Sequence, residues 1–278
     1  MSEVGSELVM QDRAVELASV EGGARLNRKQ DADILEIVRD ATFITRSQIK
    51  YLCDRRGITN TRNGFNWRFD RLVKAKLVNE LPMPIYPFKS AAFSITRAGL
   101  FVLEKFGRGL ASITSESEHL ASSKQAHHFL ELNEIAFQLD RCFDLEYIMT
   151  DRVLRSRNLS LAVPLAKDYD ALLKIDRSKI KKDPLNVGIE YELSVKSSER
   201  YKEISNALNS ERHVRLVVYL CGSMDVANLL TDKIKSRTCH ICFATAADFL
   251  RDGAETKMVF IQNNEKHSVA LEKLIALA

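Results

Sequence analysis

Three acidic side chains stand where the sequence predicts buried strands, and they are the first candidates for chemistry. Glu190 and Glu192 lie in VGIEYEL, whose alternating pattern and β-branched residues predict a β-strand. Residues two apart on a strand share a face, so these carboxylates should lie together. Asp170, in the strand-like run YDALLKI, joins them if the two strands are neighbours. Carboxylates packed this closely resist burial unless a cation compensates them, which predicts a divalent metal or a basic partner.

A helix and a series of strands are expected to position these acids. The apolar residues of HHFLELNEIAFQLDRC, 127–142, form a wide helical stripe, which predicts a helix packed on a sheet. After it we predict strands in LEYIMT, NLSLAVPL, YDALLKI, NVGIEYELS, VRLVVYLCG, THICFAT and TKMVFIQ. Helices are predicted in SSERYKEISNALN, DVANLLTDKIKS and ADFLRD, with a short one at the end. This order indicates an α/β domain with a mixed sheet, and α+β over the whole chain.

The helix, the strand meander and the ExE strand resemble the core of the PD-(D/E)xK nuclease superfamily, a restriction-endonuclease-like fold. The resemblance implies that Asp170, Glu190 and Glu192 bind Mg²⁺, which activates water and stabilises the phosphate transition state in DNA cleavage. Glu192 stands where the motif has its lysine. Lys196 is the candidate that returns an ammonium group to the catalytic set, and Glu134 is the candidate for the additional helix acid of some members.

A structural role fits the same acids. Glu190 and Glu192 would then pair with Lys196, Arg200 or Lys174 in an ion-pair network that perturbs pKa values without catalysing a reaction. Both interpretations stay open, so the sequence leaves it undecided whether the protein is an enzyme.

Positive charge is concentrated in one part of the chain. Residues 46–108 contain thirteen Lys or Arg against four acids, a net charge of +9, although the whole chain carries only +4. The remaining residues therefore sum to about −5. Such an asymmetry is expected when one module approaches a polyanion.

The basic segment, together with the residues just before it, contains signals for three helices, a hairpin and a fourth helix. Helices are predicted from about Asp31, after the N-cap Thr45 and from about Thr61 to Ala75, and strands in LVNEL and AAFSIT. Thr96 caps the helix that follows. This order, with the ending FSITRAG, resembles a winged helix-turn-helix module. In that family the third helix enters the major groove of duplex DNA.

The resemblance assigns candidate DNA contacts to two sets of residues. Arginine and asparagine can make two-point contacts to base edges, and basic side chains contact phosphates. The candidate groove residues are Asn60, Arg62, Asn63, Asn66 and Arg68. The candidate phosphate contacts are Arg46, Lys50, Lys74 and, in the wing, Lys89. Trp67 and Phe69 are expected in the core, as helical aromatic residues usually are.

A second resemblance covers most of the chain. The winged helix, the HxxxxN helix His128–Asn133, the DAL strand, the ExE strand and the basic helix with a tyrosine are similar to the replication-relaxation family of plasmid and mobile-element proteins. It implies DNA binding in plasmid replication, relaxation or regulation, with a nuclease-like domain. Two alternatives remain: an active Mg²⁺-dependent endonuclease, and a protein-interaction or dimerisation module.

These patterns predict four segments. They are an N-terminal tail (1–27), a winged helix-turn-helix domain (28–109), a Ser-rich linker (110–126) and an α/β nuclease-like domain (127–278). No apolar run reaches 18 residues and the first residues lack the basic start of a signal peptide, which predicts a cytoplasmic protein without a membrane partner. The expected partner is double-stranded DNA, and homodimerisation stays open.

Overall fold

The fold is mixed α+β and divides into two compact units, Met1–Leu130 and Glu131–Ala278. Ten α-helices, two small sheets and one seven-stranded mixed sheet occur within the part of the chain that the structure describes. This computed structural model describes residues 15–16, 25–59, 61–83, 91–117, 122, 125–263 and 265–278.

Helices of the first unit begin at threonines that act as caps. Thr45, Thr61 and Thr96 each accept a hydrogen bond from the backbone N–H three residues further on. Thr45 also forms a reciprocal capping box with Gln48. The helices are α1 (Gln30–Ala41), α2 (Arg46–Arg55), α3 (Arg62–Lys74) and α4 (Arg97–Lys105).

A three-stranded antiparallel sheet completes the core of this unit. Strands β4 (Val78–Leu81) and β5 (Ala92–Ile95) form the predicted pair, and the short β3 (Ile44–Thr45) adds to the other edge of β5. The proline-rich connection between β4 and β5 lies, for residues 84–90, outside the described residues. Apolar side chains of all four helices meet those of the sheet in one buried cluster.

Part of the predicted N-terminal tail forms two short β-strands that pair with each other. Strands β1 (Val15–Glu16) and β2 (Arg25–Leu26) form an antiparallel ladder, and the Leu26 side chain is fully buried in the core of the unit. The prediction of a tail with at most a frayed helix is therefore wrong for these residues. Burial of Leu26 stabilises a conformation that local sequence preferences do not indicate.

The second unit is built on a seven-stranded sheet. Its order is β12-β11-β10-β9-β8-β7-β6, in which β8, β9 and β10 are mutually parallel and the other pairs are antiparallel. All six residues of β9 are buried, as expected of a central parallel strand covered on both faces. The strands are β6 (Leu145–Thr150), β7 (Ala171–Ile175), β8 (Leu185–Glu192), β9 (Leu216–Cys221), β10 (His240–Thr245), β11 (Lys257–Gln262) and β12 (Glu265–Ala270).

Six helices accompany this sheet, of which α6, α7, α8 and α9 connect its strands. They are α5 (Ala126–Cys142), α6 (Asp151–Asn158), α7 (Ser198–Ser210), α8 (Met224–Lys233), α9 (Ala246–Asp252) and α10 (Leu271–Leu277). Apolar residues of α7 and α8 join one face of the sheet in a single buried cluster that includes Tyr169 and Tyr219. This is also the face on which the candidate carboxylates lie, as their strand register shows below.

Two predictions about this unit are wrong. NLSLAVPL does not form a strand: α6 ends at Asn158 and a loop follows, which the Asn158 side chain holds by accepting a hydrogen bond from the Leu165 N–H at 2.6 Å. The final segment contains the unpredicted strand β12, which pairs with β11 along its length before α10 begins. No helix among the described residues is long and apolar enough to cross a membrane.

Candidate nucleic-acid interface and carboxylate cluster

Three buried apolar side chains fix α3 in the first unit. Phe65, Phe69 and Leu72 occupy one side of the helix and are 1% exposed or less. Phe69 packs edge-on against Phe93 of β5, with ring centroids 4.8 Å apart. This anchoring leaves the opposite side of α3 at the surface in a fixed orientation.

The exposed side of α3 carries polar side chains that are not engaged elsewhere. Arg62, Asn63 and Lys74 are exposed and Asn66 is half-buried. None of the four has a side-chain hydrogen bond or ion pair within the described residues. These side chains are therefore available to a ligand. The candidates Asn60 and Lys89 lie outside the described residues.

Two candidate phosphate contacts are already paired with acids. The Arg46 guanidinium is 2.6 Å from a carboxylate oxygen of Asp70 and lies over the Phe69 ring, 4.9 Å from its centroid. Lys50 forms an ion pair with Asp54, one turn further along α2. Both pairs are partly exposed, so a phosphate could replace either carboxylate at small cost.

Arg68 has a different environment from the one expected of a groove residue. Its guanidinium is 3.2 Å from the Asp31 carboxylate, which is fully buried and also pairs with Arg71. A buried carboxylate needs such partners, since an unpaired buried charge is strongly destabilising. Arg68 therefore ties α3 to α1, and the structure does not leave it free on the exposed side of α3.

Trp67 is exposed, contrary to the prediction that it lies in the core. Its side chain is 61% exposed, and the Arg71 guanidinium lies 4.7 Å from the ring centroid, with that of Arg68 at 5.8 Å. Phe69 is buried as predicted. Because Asp31 holds both arginines, the indole lies against anchored cations at the surface of the helix.

In the second unit, the strand register brings the three candidate carboxylates together. Ala171 pairs with Ile189, which places Asp170 beside Glu190 across β7 and β8. The Asp170 carboxylate accepts a hydrogen bond from the Tyr191 N–H at 2.8 Å. Glu190 and Glu192 alternate on β8 and are each 7% exposed. We call Asp170, Glu190 and Glu192 the carboxylate cluster.

Two lysines neutralise the glutamates of this cluster. The Lys167 ammonium lies 2.5 Å from a Glu190 carboxylate oxygen and also donates to the Asp168 carbonyl oxygen at 2.9 Å. Lys196 forms an ion pair with Glu192. The other lysine and arginine considered from the sequence pair elsewhere, Lys174 with Glu146 and Arg200 with Glu203.

Burial dominates the electrostatics of the cluster. It raises the pKa of Glu190 to about 7, although the neighbouring Lys167 acts in the opposite direction. Asp151, at the start of α6, also has a pKa raised by burial, against the lowering effect of Arg155. A carboxyl group that titrates near neutrality is a candidate for proton exchange with a ligand.

A buried tyrosine adjoins the cluster. Tyr219 of β9 pairs with Glu190 in the parallel ladder and is 1% exposed. Its hydroxyl group has no hydrogen-bond partner within the described residues. Burial raises the pKa of Tyr219 well above its ordinary value, and Glu190 adds to this effect. The hydroxyl is therefore a neutral donor beside the carboxylate cluster.

The carboxylate oxygens of the cluster are not arranged as the ligands of a metal ion. Among the described residues no group of three or more His, Cys, Asp or Glu side chains is placed to hold a metal ion. Two of the three cluster carboxylates are paired with lysines, and the third accepts a backbone hydrogen bond. Glu134 lies half-buried on α5. Magnesium binding stays a prediction of the sequence resemblance.

The sequence did not assign three residues to these sites: Trp67, Tyr219 and Lys167. The exposure of Trp67 follows from its position two residues after Phe65, because residues two apart on a helix face different directions. Tyr219 alternates with the buried Val217 and Cys221, but only the register of β9 with β8 places it beside Glu190. Lys167 lies in a loop, where no periodicity indicates its partner.

Comparison with known protein families, with curated proteins and with solved structures found no match.

Proposed function

We propose that this protein binds double-stranded DNA through its first unit, which acts as a winged helix-turn-helix domain. The observation that carries the proposal is the exposed side of α3, where Arg62, Asn63, Asn66 and Lys74 have no side-chain partner in the part of the chain that the structure describes. The net charge of +9 over residues 46–108 supports it, since basic segments release counterions when they bind DNA. The order of three helices and a β4–β5 hairpin is compatible with this class of domain.

The candidate DNA-contacting residues have different roles. Arg62, Asn63 and Asn66 read base edges from the first half of α3. Lys74 contacts a phosphate, and Arg46 and Lys50 do so after exchanging their aspartate partners. Arg68 supports the helix through Asp31 and contributes to binding only through the position of α3.

The second unit is proposed to be a nuclease-like domain of a protein that acts in plasmid or mobile-element replication, relaxation or regulation. Two of its three carboxylates, Glu190 and Glu192, are paired with Lys167 and Lys196, which favours a degenerate site over an active one. DNA cleavage with Mg²⁺ stays the alternative. Nicking of supercoiled plasmid that requires Mg²⁺ and is lost in Asp170→Ala would support that alternative.

Fluorescence anisotropy of labelled duplex DNA tests the binding proposal. We expect Arg62→Ala to weaken binding by roughly tenfold or more, since a two-point contact to a base contributes about 1–3 kcal/mol. Arg212→Ala, which removes an exposed arginine of the second unit, is the matched control and should bind like wild type. Affinity should also fall steeply with salt.

Three outcomes would contradict the proposal. They are that wild-type protein binds no duplex, that its affinity is independent of salt, or that Arg62→Ala and the control lose affinity equally. The last outcome would mean that net charge alone, and not the exposed side of α3, determines binding. Circular dichroism of each variant establishes that the fold is retained.

A further inference from the structure

A cavity of about 580 Å³ lies in the second unit, away from the carboxylate cluster. Volumes in this range accommodate small organic ligands. Leu216, at the start of β9, lines the cavity, whereas Glu192 of the cluster pairs with Cys221 at the end of β9. Leu216 and Cys221 are five residue steps apart along the strand, or about 16 Å. The cavity therefore extends away from the cluster toward the start of β9 and β10, and its nearest wall residue, Phe243, is separated from Glu190 by Tyr219 of the intervening strand.

The walls of the cavity are mainly apolar. Ile241 and Phe243 of β10 line one side together with Ile234, which belongs to the same buried cluster. Phe260 of β11 contributes from the other face of the sheet, because its neighbour Val259 pairs with Phe243. Phe243 also stacks on Tyr219 with ring centroids 5.3 Å apart, which fixes one wall against the sheet interior. An apolar group bound here would be stabilised by the hydrophobic effect, because its surface is removed from water.

Basic side chains stand at the rim. Lys235 and Arg237 come from the loop between α8 and β10, and His240 is the first residue of β10. All three side chains are exposed, and none has a hydrogen-bond or ion-pair partner within the described residues. Among the residues that the structure describes, none of those lining the cavity is Asp or Glu. The rim is therefore complementary to an anion.

The loop that carries these side chains is held by its backbone and its hydroxyl groups. The N–H of Lys235 donates to the Ser205 side chain at 3.3 Å, and that of Arg237 donates to the Asn209 side chain at 2.8 Å. The Thr238 hydroxyl donates to the carbonyl oxygen of Leu208 at 2.6 Å. The loop is thus anchored on α7 without using its charged groups, which lowers the cost of ordering them around a ligand.

We propose that this cavity binds a small organic anion with an apolar body. The apolar body packs against Ile234, Ile241 and Phe243, while Lys235 and Arg237 donate charge-assisted hydrogen bonds to a carboxylate or sulfonate group. Inorganic phosphate lacks the apolar part and fills little of the volume. A neutral molecule of the same shape leaves the two cations without a partner.

Fluorescence of 1-anilinonaphthalene-8-sulfonate, an anionic aromatic probe, tests this proposal on the full chain. We expect the probe to bind with increased emission and to be displaced by decanoate. Decanol, which has the same chain without the charge, should displace it roughly tenfold less effectively, as expected for the loss of a charge-assisted hydrogen bond. Inorganic phosphate at the same concentrations should not displace it.

Paired variants separate the cavity from general charge effects. The double variant Lys235→Gln with Arg237→Gln should weaken decanoate binding roughly tenfold or more. Lys202→Gln with Arg212→Gln removes the same charge from two exposed positions outside the cavity and should bind decanoate like wild type. Ile241→Trp, which fills the cavity, should abolish binding of both probe and decanoate.

The proposal is overturned if decanol competes as well as decanoate, because the rim would then contribute nothing. It is also overturned if the two double variants behave alike, or if probe binding persists unchanged in Ile241→Trp. Should Ile241→Trp not fold by circular dichroism, the comparison of the two double variants, whose changed side chains are exposed, decides the question.

Discussion

The glutamine substitution of Glu190 is expected to change how stability depends on pH. Glu190 is 7% exposed, contacts the Lys167 ammonium at 2.5 Å and lies beside Asp170. Burial disfavours its charged form more than Lys167 favours it, so its pKa rises to about 7. Glu190→Gln keeps the shape of the side chain but cannot ionise, which isolates the effect of this one carboxyl group.

The expected change in the free energy of unfolding follows from the pKa of Glu190 in the reference state and in the folded protein. The pKa of Glu190 is 4.5 in the reference state and about 7 in the folded protein, so the folded chain holds the proton more tightly. A difference of this size corresponds to about 3 kcal/mol. Because the folded pKa is the raised one, this stabilisation is fully present below pH 4.5 and is lost as the pH rises through about 7.

Urea denaturation of wild type and Glu190→Gln between pH 5 and pH 8 measures this effect. We expect wild type to lose up to about 3 kcal/mol relative to the variant over that interval. Glu203→Gln, at a position that is 64% exposed, should show no such change relative to wild type. A difference between wild type and Glu190→Gln that stays constant with pH would refute the reasoning. If wild type gained stability instead, the ion pair with Lys167 would outweigh burial.

Three further substitutions test the packing that positions the two sites. Asp31→Asn removes the buried partner of two arginines and should destabilise the protein by about 3 kcal/mol in urea denaturation; wild-type stability would contradict the structural role of Arg68. Gly188→Ala places a Cβ 2.6 Å from ring carbons of Tyr169 and should lower Tm through a cost of about 1–3 kcal/mol, so an unchanged Tm would show that the ring can move. Thr45→Ala breaks the capping box and should cost about 1 kcal/mol in urea denaturation, whereas Thr45→Ser should restore most of it.

Local chemistry in the sequence accounts for much of the fold. Thr45, Thr61 and Thr96 predict the starts of three helices because a hydroxyl cap acts over three residues. The alternation of VGIEYEL predicts that Glu190 and Glu192 share a face, since the period of a strand is two. Interactions within one element are thus readable before the tertiary structure is known.

The sequence-based predictions are wrong where contacts between residues distant in the chain determine the conformation. β12 forms because β11 offers it a partner along its whole length, and this pairing overrides the helical appearance of the final segment. NLSLAVPL shows strand-like alternation, but no neighbouring strand pairs with it among the described residues, and Asn158 closes it into a loop. The partners of Glu190 were missed for the same reason, because Lys167 reaches it from a loop.

The fluorescence of Trp67 tests the central claim, that the exposed side of α3 contacts DNA, most directly. The chain contains one tryptophan, so all tryptophan emission comes from α3. We predict that saturating duplex DNA changes the intensity and wavelength of this emission, because an indole that is 61% exposed becomes covered. The change should follow the same binding curve as anisotropy of the labelled duplex. Emission that stays unchanged while anisotropy shows saturated binding would place DNA elsewhere and contradict the claim.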